Sequence, residues 1–105
     1  MPKISVLTPS FNRAEFLPKL ARSLQEQSFR DFEWIIGNDG STDNSDEIIR
    51  SFSNIVQFPI FYINSSHRVG KSVMDNKLID EARGEYIVWC DSDDYFVDNA
   101  FEILL

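Results

Sequence analysis

The sequence predicts an α/β fold: a mostly parallel sheet of about four strands with helices on both faces. Three observations lead there. Short β-prone runs alternate with stretches whose apolar residues recur at helical spacing, in the order β-α-β-α-β-α-β-α. The strand runs are near-continuously apolar, as in parallel sheets covered on both sides. The polar residues capable of chemistry follow the strands. Right-handed crossovers bring the C-terminal ends of parallel strands to one edge, where open α/β sheets bind ligands.

Ile4-Ser5-Val6-Leu7-Thr8 is the first β-prone run, which Pro9 is expected to end. Asn12 followed by Glu15 resembles a capping box, and Phe16, Leu17, Leu20 and Leu24 then recur at helical spacing. Pro18 is acceptable if that helix begins near Ala14 or Glu15, because the first four N–H groups have no intrahelical partner. The helix is expected to fade near Gln27 and Ser28. Phe32-Glu33-Trp34-Ile35-Ile36-Gly37 is strand two, followed by a polar loop over residues 38–44. Ser45 to Phe52 is a short helix with Ile48, Ile49 and Phe52 facing inward. Pro59-Ile60-Phe61-Tyr62-Ile63 is strand three, and residues 65–69 form a loop. Residues 71–83 make a third helix, with Val73, Met74, Lys77 and Leu78 on adjoining faces and Gly84 as its C-terminal stop. Residues 85–90 are strand four. Asp98 or Asn99 caps a last helix whose apolar side carries Phe101, Leu104 and Leu105. The pattern does not encode the order of strands in the sheet.

A chain of 105 residues, 43% hydrophobic and 13% aromatic, suits one domain with one core and is unlike a disordered segment. No apolar run is long enough to cross a bilayer, and the first residues are too soon interrupted to be a signal peptide. The single cysteine excludes an internal disulfide, so a reducing cytoplasm is the default, at or away from the inner face of a membrane. Cys90, inside an apolar run, is expected to pack in the core. The net charge of −7 argues against a general nucleic-acid partner. It also repels phosphate, so a phosphate-bearing substrate needs a metal or local cations, for which Arg13, Arg68 and Lys71 are the candidates. The last helix reaches residue 105 without a stop signal. Residues 1–105 are therefore read as a single truncated domain, or as one that completes its core with a partner. Phe96, Phe101, Leu104 and Leu105 are expected to form an exposed apolar surface that drives self-association.

The chemistry is concentrated where strand four ends. Ile87-Val88-Trp89-Cys90 runs into Asp91-Ser92-Asp93-Asp94, three carboxylates within four residues. Like charges that close are costly unless a cation sits among them. A hard divalent ion, Mn²⁺ or Mg²⁺, would take one or two carboxylates, waters and diphosphate oxygens. The D-x-D spacing turns alternate side chains the same way, so Asp91 and Asp93 reach one ligand while Ser92 faces away or offers its backbone. Asn38-Asp39-Gly40-Ser41-Thr42-Asp43 is a glycine-containing loop entering a helix. Asp39 is suited to accept from a nucleobase imide N–H or a ribose hydroxyl, and Ser41, Thr42 and Asp43 to cap the helix. Two uses are open to Phe11, stacking on a base or packing in the core. Arg13 either meets phosphate or lies on a solvated face. Lys71, beside Gly70 at a helix start, either meets an anion or stays in solvent. His67, the only histidine, has no partner at metal spacing and is read as exposed. Neither G-x-x-x-x-G-K-[ST] nor G-x-G-x-x-G is present, which removes P-loop chemistry and the usual dinucleotide fingerprint.

Taken together these residues resemble the family 2 glycosyltransferases of GT-A fold. Ile4-Ser5-Val6-Leu7-Thr8-Pro9-Ser10-Phe11-Asn12-Arg13 is similar to the family's opening strand and loop. Ser23-Leu24, Gln27-Ser28-Phe29 and Asp31-Phe32-Glu33-Trp34-Ile35-Ile36 match its next stretch. NDGSTD resembles D-D-G-S-x-D, and Asn76 with Ala82-Arg83-Gly84-Glu85-Tyr86-Ile87 precedes the D-x-D as in the family. The resemblance implies the Rossmann-like, nucleotide-binding N-terminal half of a GT-A domain. Its donor would be a nucleotide-activated sugar, often a UDP-sugar, and its acceptor a sugar or glycolipid hydroxyl, with inversion at the anomeric carbon. It also implies a role in polysaccharide or glycolipid assembly. By the same resemblance Asp39 recognises the base, Asp91 lies near ribose and sugar, and Asp93 coordinates the metal. Thr8, Pro9 and Phe11 line the nucleoside. Lys71, Asn76 and Ser92 are also expected at the donor site. The family's catalytic base lies beyond residue 105, which leaves a second reading, a nucleotide- and metal-binding fragment without turnover.

Two positions depart from the family pattern. Asn38 stands where a first Asp is usual, and Asp75 where Arg is common, which removes a phosphate partner. Competing α/β folds fit less well. A signalling receiver needs an acidic pair after strand one, where this chain has Thr8-Pro9-Ser10. A haloacid dehalogenase-like phosphatase needs D-x-D-x-[TV] after its first strand. Here the motif comes late, and Tyr95 holds its last position.

Overall fold

The computed structural model describes residues 2–96 and 100–104. Its elements are β1 (Ile4–Ser10), α1 (Leu17–Gln25), β2 (Phe32–Asp39), α2 (Ser45–Phe52), β3 (Ile60–Ser65), α3 (Lys71–Glu81), β4 (Tyr86–Trp89) and α4 (Ala100–Leu104). The four strands form one sheet in the order β3-β2-β1-β4, and every neighbouring pair is parallel. The expected four-stranded parallel sheet is therefore observed, and the order puts β1 and β2 in the middle.

Period-two alternation sends the two faces of these strands into different cores. Ile4 and Val6 of β1 with Phe32, Trp34 and Ile36 of β2 pack against Leu17, Leu20 and Leu24 of α1, Ile49 and Phe52 of α2, and Phe101 of α4. The opposite face carries Leu7 and Ile35, covered by Met74 and Leu78 of α3. Burying one such leucine contributes roughly 2 kcal/mol. Trp34 stacks on Phe52 at 5.6 Å, and its indole N–H donates to Thr8 Oγ1 at 2.9 Å, so the one polar atom of the largest core side chain is satisfied. Gly37 lets α3 lie close, since a Cβ there would stand 2.5 Å from Met74 Sδ.

Several boundaries differ from expectation, each for a local reason. Strand β1 does not stop at Pro9 but pairs on through Ser10, opposite Gly37 and Asn38 of β2. Leu7 accepts from the Cys90 N–H on the β4 side, so Pro9, two residues on, turns its donorless nitrogen to the same side, beyond the end of β4. Helix α1 starts at Leu17 rather than near Ala14, with Pro18 in its first turn, and Asn12 does not cap it. Helix α3 ends at Ala82 in an extended conformation, so Gly84 is not a left-handed stop. Instead a Cβ on Gly84 would stand 2.5 Å from the Ser5 backbone nitrogen, and the missing side chain lets the chain cross β1.

The expected apolar patch near the end of the chain is also corrected. Phe101 is fully buried, edge-on to Phe32 at 5.1 Å and to Phe96 at 5.0 Å, and Phe96 packs against the same core. The Leu104 side chain, Leu105 and the proposed caps Asp98 and Asn99 lie outside the described residues. The large apolar side chains that do face solvent include Tyr86, Ile87 and Trp89 on the edge strand β4, and Val73 and Ile79 on α3. Among the described residues no helix is long and apolar enough to cross a membrane.

Candidate functional site

The ends of β1, β2 and β4 surround a cavity of about 270 Å³. Its lining is Pro9 and Ser10 at the end of β1 with Phe11 and Arg13 after it, Asp39 at the end of β2, Arg68, Lys71 and Met74 from the approach to α3 and its first turn, and Asp91, Ser92 and Asp93 after β4. Three polar segments far apart in sequence thus meet at one edge of the sheet, because parallel strands end on the same side.

Two loops are knotted together behind Phe11. Asn12 adopts a left-handed conformation, φ 52°, which an Asn side chain tolerates. Its Oδ1 accepts from the Thr42 N–H at 2.8 Å and the Asp43 N–H at 3.3 Å, while its own N–H donates to Ser41 Oγ at 2.9 Å. Asp43 accepts from the Ala14 N–H at 3.1 Å and from the Ser45 N–H at 3.0 Å. Burial pushes the Asp43 carboxyl up, but these donors with the Ser45 hydroxyl outweigh it and hold it below the usual aspartate value. Ser41 and Thr42 therefore do not cap α2, whose N-cap is Asn44; with Asp43 they tie the β2–α2 loop to the β1–α1 loop.

Asp39 is buried at the end of β2 and binds the loop before α3. Its Oδ1 accepts from the Val69 N–H at 2.7 Å and its Oδ2 from the Gly70 N–H at 3.1 Å. Each oxygen keeps a lone pair for a further donor. Gly40, at φ 67°, lets the loop approach so closely that a Cβ there would stand 2.4 Å from the Arg68 nitrogen. This anchoring lays the Arg68 guanidinium 3.9 Å from the centre of the Phe11 ring. Phe11 is half-buried at the cavity, so of its two expected uses the structure favours the one facing the site.

Lys71 Nζ donates to Asp75 Oδ2 at 2.7 Å and stands 5.8 Å from the centre of the Trp89 ring. That hydrogen bond raises the Lys71 pKa; burial opposes it, and the charges of Asp75 and Asp91 add to it. Asp75, at the position where the family pattern has Arg, thus holds a cation at the cavity wall. Arg13 is exposed and its guanidinium donates to its own loop, at Asn12 O, 3.4 Å.

Asp91, Asp93 and Asp94 each bring a carboxylate oxygen within 4.8 Å of the others, and all three are exposed. The turn is closed by the Asp94 N–H donating to Asp91 O at 3.0 Å. No side chain among the described residues donates to these carboxylates. A hard-oxygen donor set of this spacing fits an octahedral divalent cation that keeps several waters. Cys90 behind them is buried, and burial first, then the three aspartates, pushes its thiol up to about 12, so it is inert at neutral pH.

Two residues expected at the site are elsewhere. Thr8 is fully buried with its hydroxyl occupied by Trp34, one residue short of the cavity. Asn76 is exposed on α3 and does not line the cavity, because helical spacing turns it away from the face carrying Met74 and Leu78. Asn38 is buried beside the site but points sideways: its amide donates to the Tyr62 hydroxyl and to Asn64 Oδ1, both at 3.2 Å. It therefore sets the sheet's internal contacts rather than those of a base. Ser10 and Met74 line the cavity without having been singled out. Ser10 Oγ is buried without a partner among the described residues.

The chain matches the family model described as Glycosyl transferase family 2 over residues 5–105. It is 31% identical over 105 residues to a GalNAc(5)-diNAcBac-PP-undecaprenol beta-1,3-glucosyltransferase of Campylobacter jejuni, covering all of this chain and 34% of that protein. Among solved structures it is similar to S. aureus TarS 1-349 in complex with UDP, with a TM-score of 0.88 and 27% identity over 97% of this chain and 30% of that one. A mannosyltransferase from Pyrobaculum calidifontis, solved with GDP-Man and Mn²⁺, shares the fold with a TM-score of 0.84 at 22% identity, covering 90% of this chain and 28% of that one. The chain thus spans about a third of the length of these relatives. On its sequence, its parallel sheet and these likenesses, the chain belongs to glycosyl transferase family 2.

Proposed function

We propose that residues 1–105 form the donor-binding unit of a glycosyltransferase that takes a nucleoside-diphosphate sugar, a UDP-sugar in the first instance, with Mn²⁺ or Mg²⁺. The observation that carries this is the convergence of Phe11, Asp39, Asp91 and Asp93 on one cavity at the C-terminal edge of the sheet. The base would lie against Phe11 with its imide N–H on Asp39, the ribose and sugar beside Asp91 and Ser92, and the diphosphate between Asp93 and Lys71. S. aureus TarS, solved with UDP and with UDP-GlcNAc, supports this choice of donor.

Asp93, with Asp91, would hold the divalent ion, which when bound supplies positive charge to the departing diphosphate. The rest of the work falls to the chain's own groups. The Asp39 carboxylate orients the base, and the Lys71 ammonium, held by Asp75, adds a fixed charge facing the diphosphate. The acceptor would be a sugar or glycolipid hydroxyl, attacking with inversion. Supporting a lipid-linked acceptor, the similar Campylobacter protein carries an undecaprenol in its name. The general base for that hydroxyl is assigned to no residue of this chain. Tested alone, residues 1–105 are accordingly proposed to bind donor and metal without turnover.

Calorimetric titration of UDP in the presence of Mn²⁺ tests the reading. Wild type is expected to bind. Asp93→Asn and Asp39→Asn are each expected to lose roughly tenfold or more, because each removes a charge-assisted contact. Unchanged affinity in both variants would remove the assigned site.

A further inference from the structure

Two polar atoms at the end of the sheet are buried without a partner among the described residues, and they belong to neighbours: Ser10 Oγ and Asn38 Oδ1. Ser10 of β1 stands opposite Asn38 of β2 in the register, so both side chains leave the same face of the sheet. Neither has bulk water to turn to, since Ser10 is 3% and Asn38 2% exposed. The Asn38 amide cannot be turned over. Its Nδ2 donates to Asn64 Oδ1 on β3 and to the Tyr62 hydroxyl, whose own hydrogen goes to Asp46. Reversed, the amide would set its carbonyl oxygen against a hydroxyl oxygen with no second hydrogen to give. With the nitrogen held toward β3, the oxygen is turned the other way, toward β1 and Ser10.

We infer that a water molecule is bound between Ser10 Oγ and Asn38 Oδ1 and ties the ends of β1 and β2 together. The occupant is defined by what the two atoms lack. Asn38 Oδ1 only accepts and needs a donor, while the Ser10 hydroxyl both donates and accepts. Water gives one hydrogen to Asn38 and meets Ser10 in either sense, and two buried polar atoms side by side are the usual setting of an internal water. The bridge matters to the cavity. Ser10 lines it, Phe11 follows Ser10 in the chain, and Asp39 follows Asn38. The water thus fastens the two strand ends from which the Phe11 and Asp39 side chains project. The nature of the ligand that fills the cavity does not enter this reasoning.

A high-resolution crystal structure of the protein reads the site directly. A water peak within hydrogen-bonding distance of both Ser10 Oγ and Asn38 Oδ1 is expected. A Ser10 hydroxyl rotated onto Asn38 Oδ1, with no peak between them, overturns the inference. So does a monovalent cation at that point, revealed by the anomalous signal of a rubidium soak. Thermal melts of Ser10→Ala, Asn38→Leu and the double variant give a second reading in solution. The Tyr62 and Asn64 bonds are lost in Asn38→Leu whatever stands at position 10, so they cancel in the double-mutant cycle. Either substitution alone removes one side of the shared bridge. The double variant's midpoint is therefore expected to fall by clearly less than the sum of the two single falls. Strictly additive falls would mean that the two atoms share nothing, and would overturn the inference even where no crystal is obtained.

Discussion

The two ends of the sheet treat carboxylates in opposite ways. Near the start of β2, Glu33 is only 3% exposed and fully occupied. The Ser5 hydroxyl donates to it at 2.6 Å, the Arg83 N–H at 2.8 Å and the Arg83 guanidinium at 3.2 Å, and the Gly84 N–H closes the cluster on Ser5 Oγ at 2.7 Å. At the other end, Asp91, Asp93 and Asp94 stand together in solvent with no side-chain donor among the described residues. A carboxylate that serves the fold is neutralised by the fold. Three that stand a few ångströms apart without such donors are the feature on which the proposed cation site rests.

The largest expected effect breaks the first end. Glu33→Ala strands the Ser5 hydroxyl and the part-buried Arg83 backbone N–H, and should cost about 3 kcal/mol of unfolding free energy in urea titration. Asp93→Asn, read the same way, should stay within about 0.5 kcal/mol of wild type, or gain slightly by relieving repulsion. Equal losses at the two positions would erase the distinction. Arg83→Ala should cost only about 1 kcal/mol, since its side chain is 67% exposed and its charge is screened.

Next comes Gly84→Ala, expected to cost about 2 kcal/mol because the new methyl meets the β1 backbone, which cannot yield. Gly37→Ala should cost less, as the first atom met is the flexible Met74 sulfur. Thermal melts that reverse this order would show that β1 yields more readily than α3.

A smaller effect lies in the pH dependence. Burial pushes the Glu33 carboxyl up, but its hydrogen bonds from Ser5 and Arg83 and the Arg83 charge more than offset that, and its pKa falls below the ordinary 4.5. A lowered carboxylate contributes stability that is fully present above 4.5 and is lost as pH falls through the folded value. Wild type should therefore lose stability below about pH 4.5, and Glu33→Gln should show a shallower loss there; parallel curves would contradict the assignment. Smallest of all, Asn38→Asp sets a carboxylate beside the Tyr62 hydroxyl, which already donates to Asp46 at 2.7 Å, and beside Asn64 Oδ1. The hydroxyl can serve only one of the two acids. Burial and that bond to Asp46 already hold the phenol up at about 12. A modest loss, on the order of 1 kcal/mol, is expected in urea titration.

What the chain revealed in advance follows from how local each signal is. Helix α2 was legible from Ser45 to Phe52 because the apolar spacing of Ile48, Ile49 and Phe52 lies within those residues. The convergence of the Asp39 and Asp91–Asp93 segments followed from parallel topology alone. Pro9 misled because its tolerance depends on where β4 stops, some eighty residues away. Asn12 and Asp43 looked like helix caps because their acceptors also suit loop N–H groups thirty residues distant. Phe101 looked exposed because nothing local says that Phe32 and Phe96 enclose it. Arg68 gave no motif, since its position is set by the Asp39 and Gly40 contacts.

In the proposed site the aspartates after β4 hold a divalent ion together with a nucleoside diphosphate. Titration of Mn²⁺ followed by the electron paramagnetic resonance of the free ion, with and without UDP, tests it most directly. Weak Mn²⁺ binding is expected alone, markedly tighter binding when UDP is present, and loss of that gain in Asp93→Asn. Equal Mn²⁺ binding by wild type and Asp93→Asn in the presence of UDP, above that of UDP alone, would contradict it.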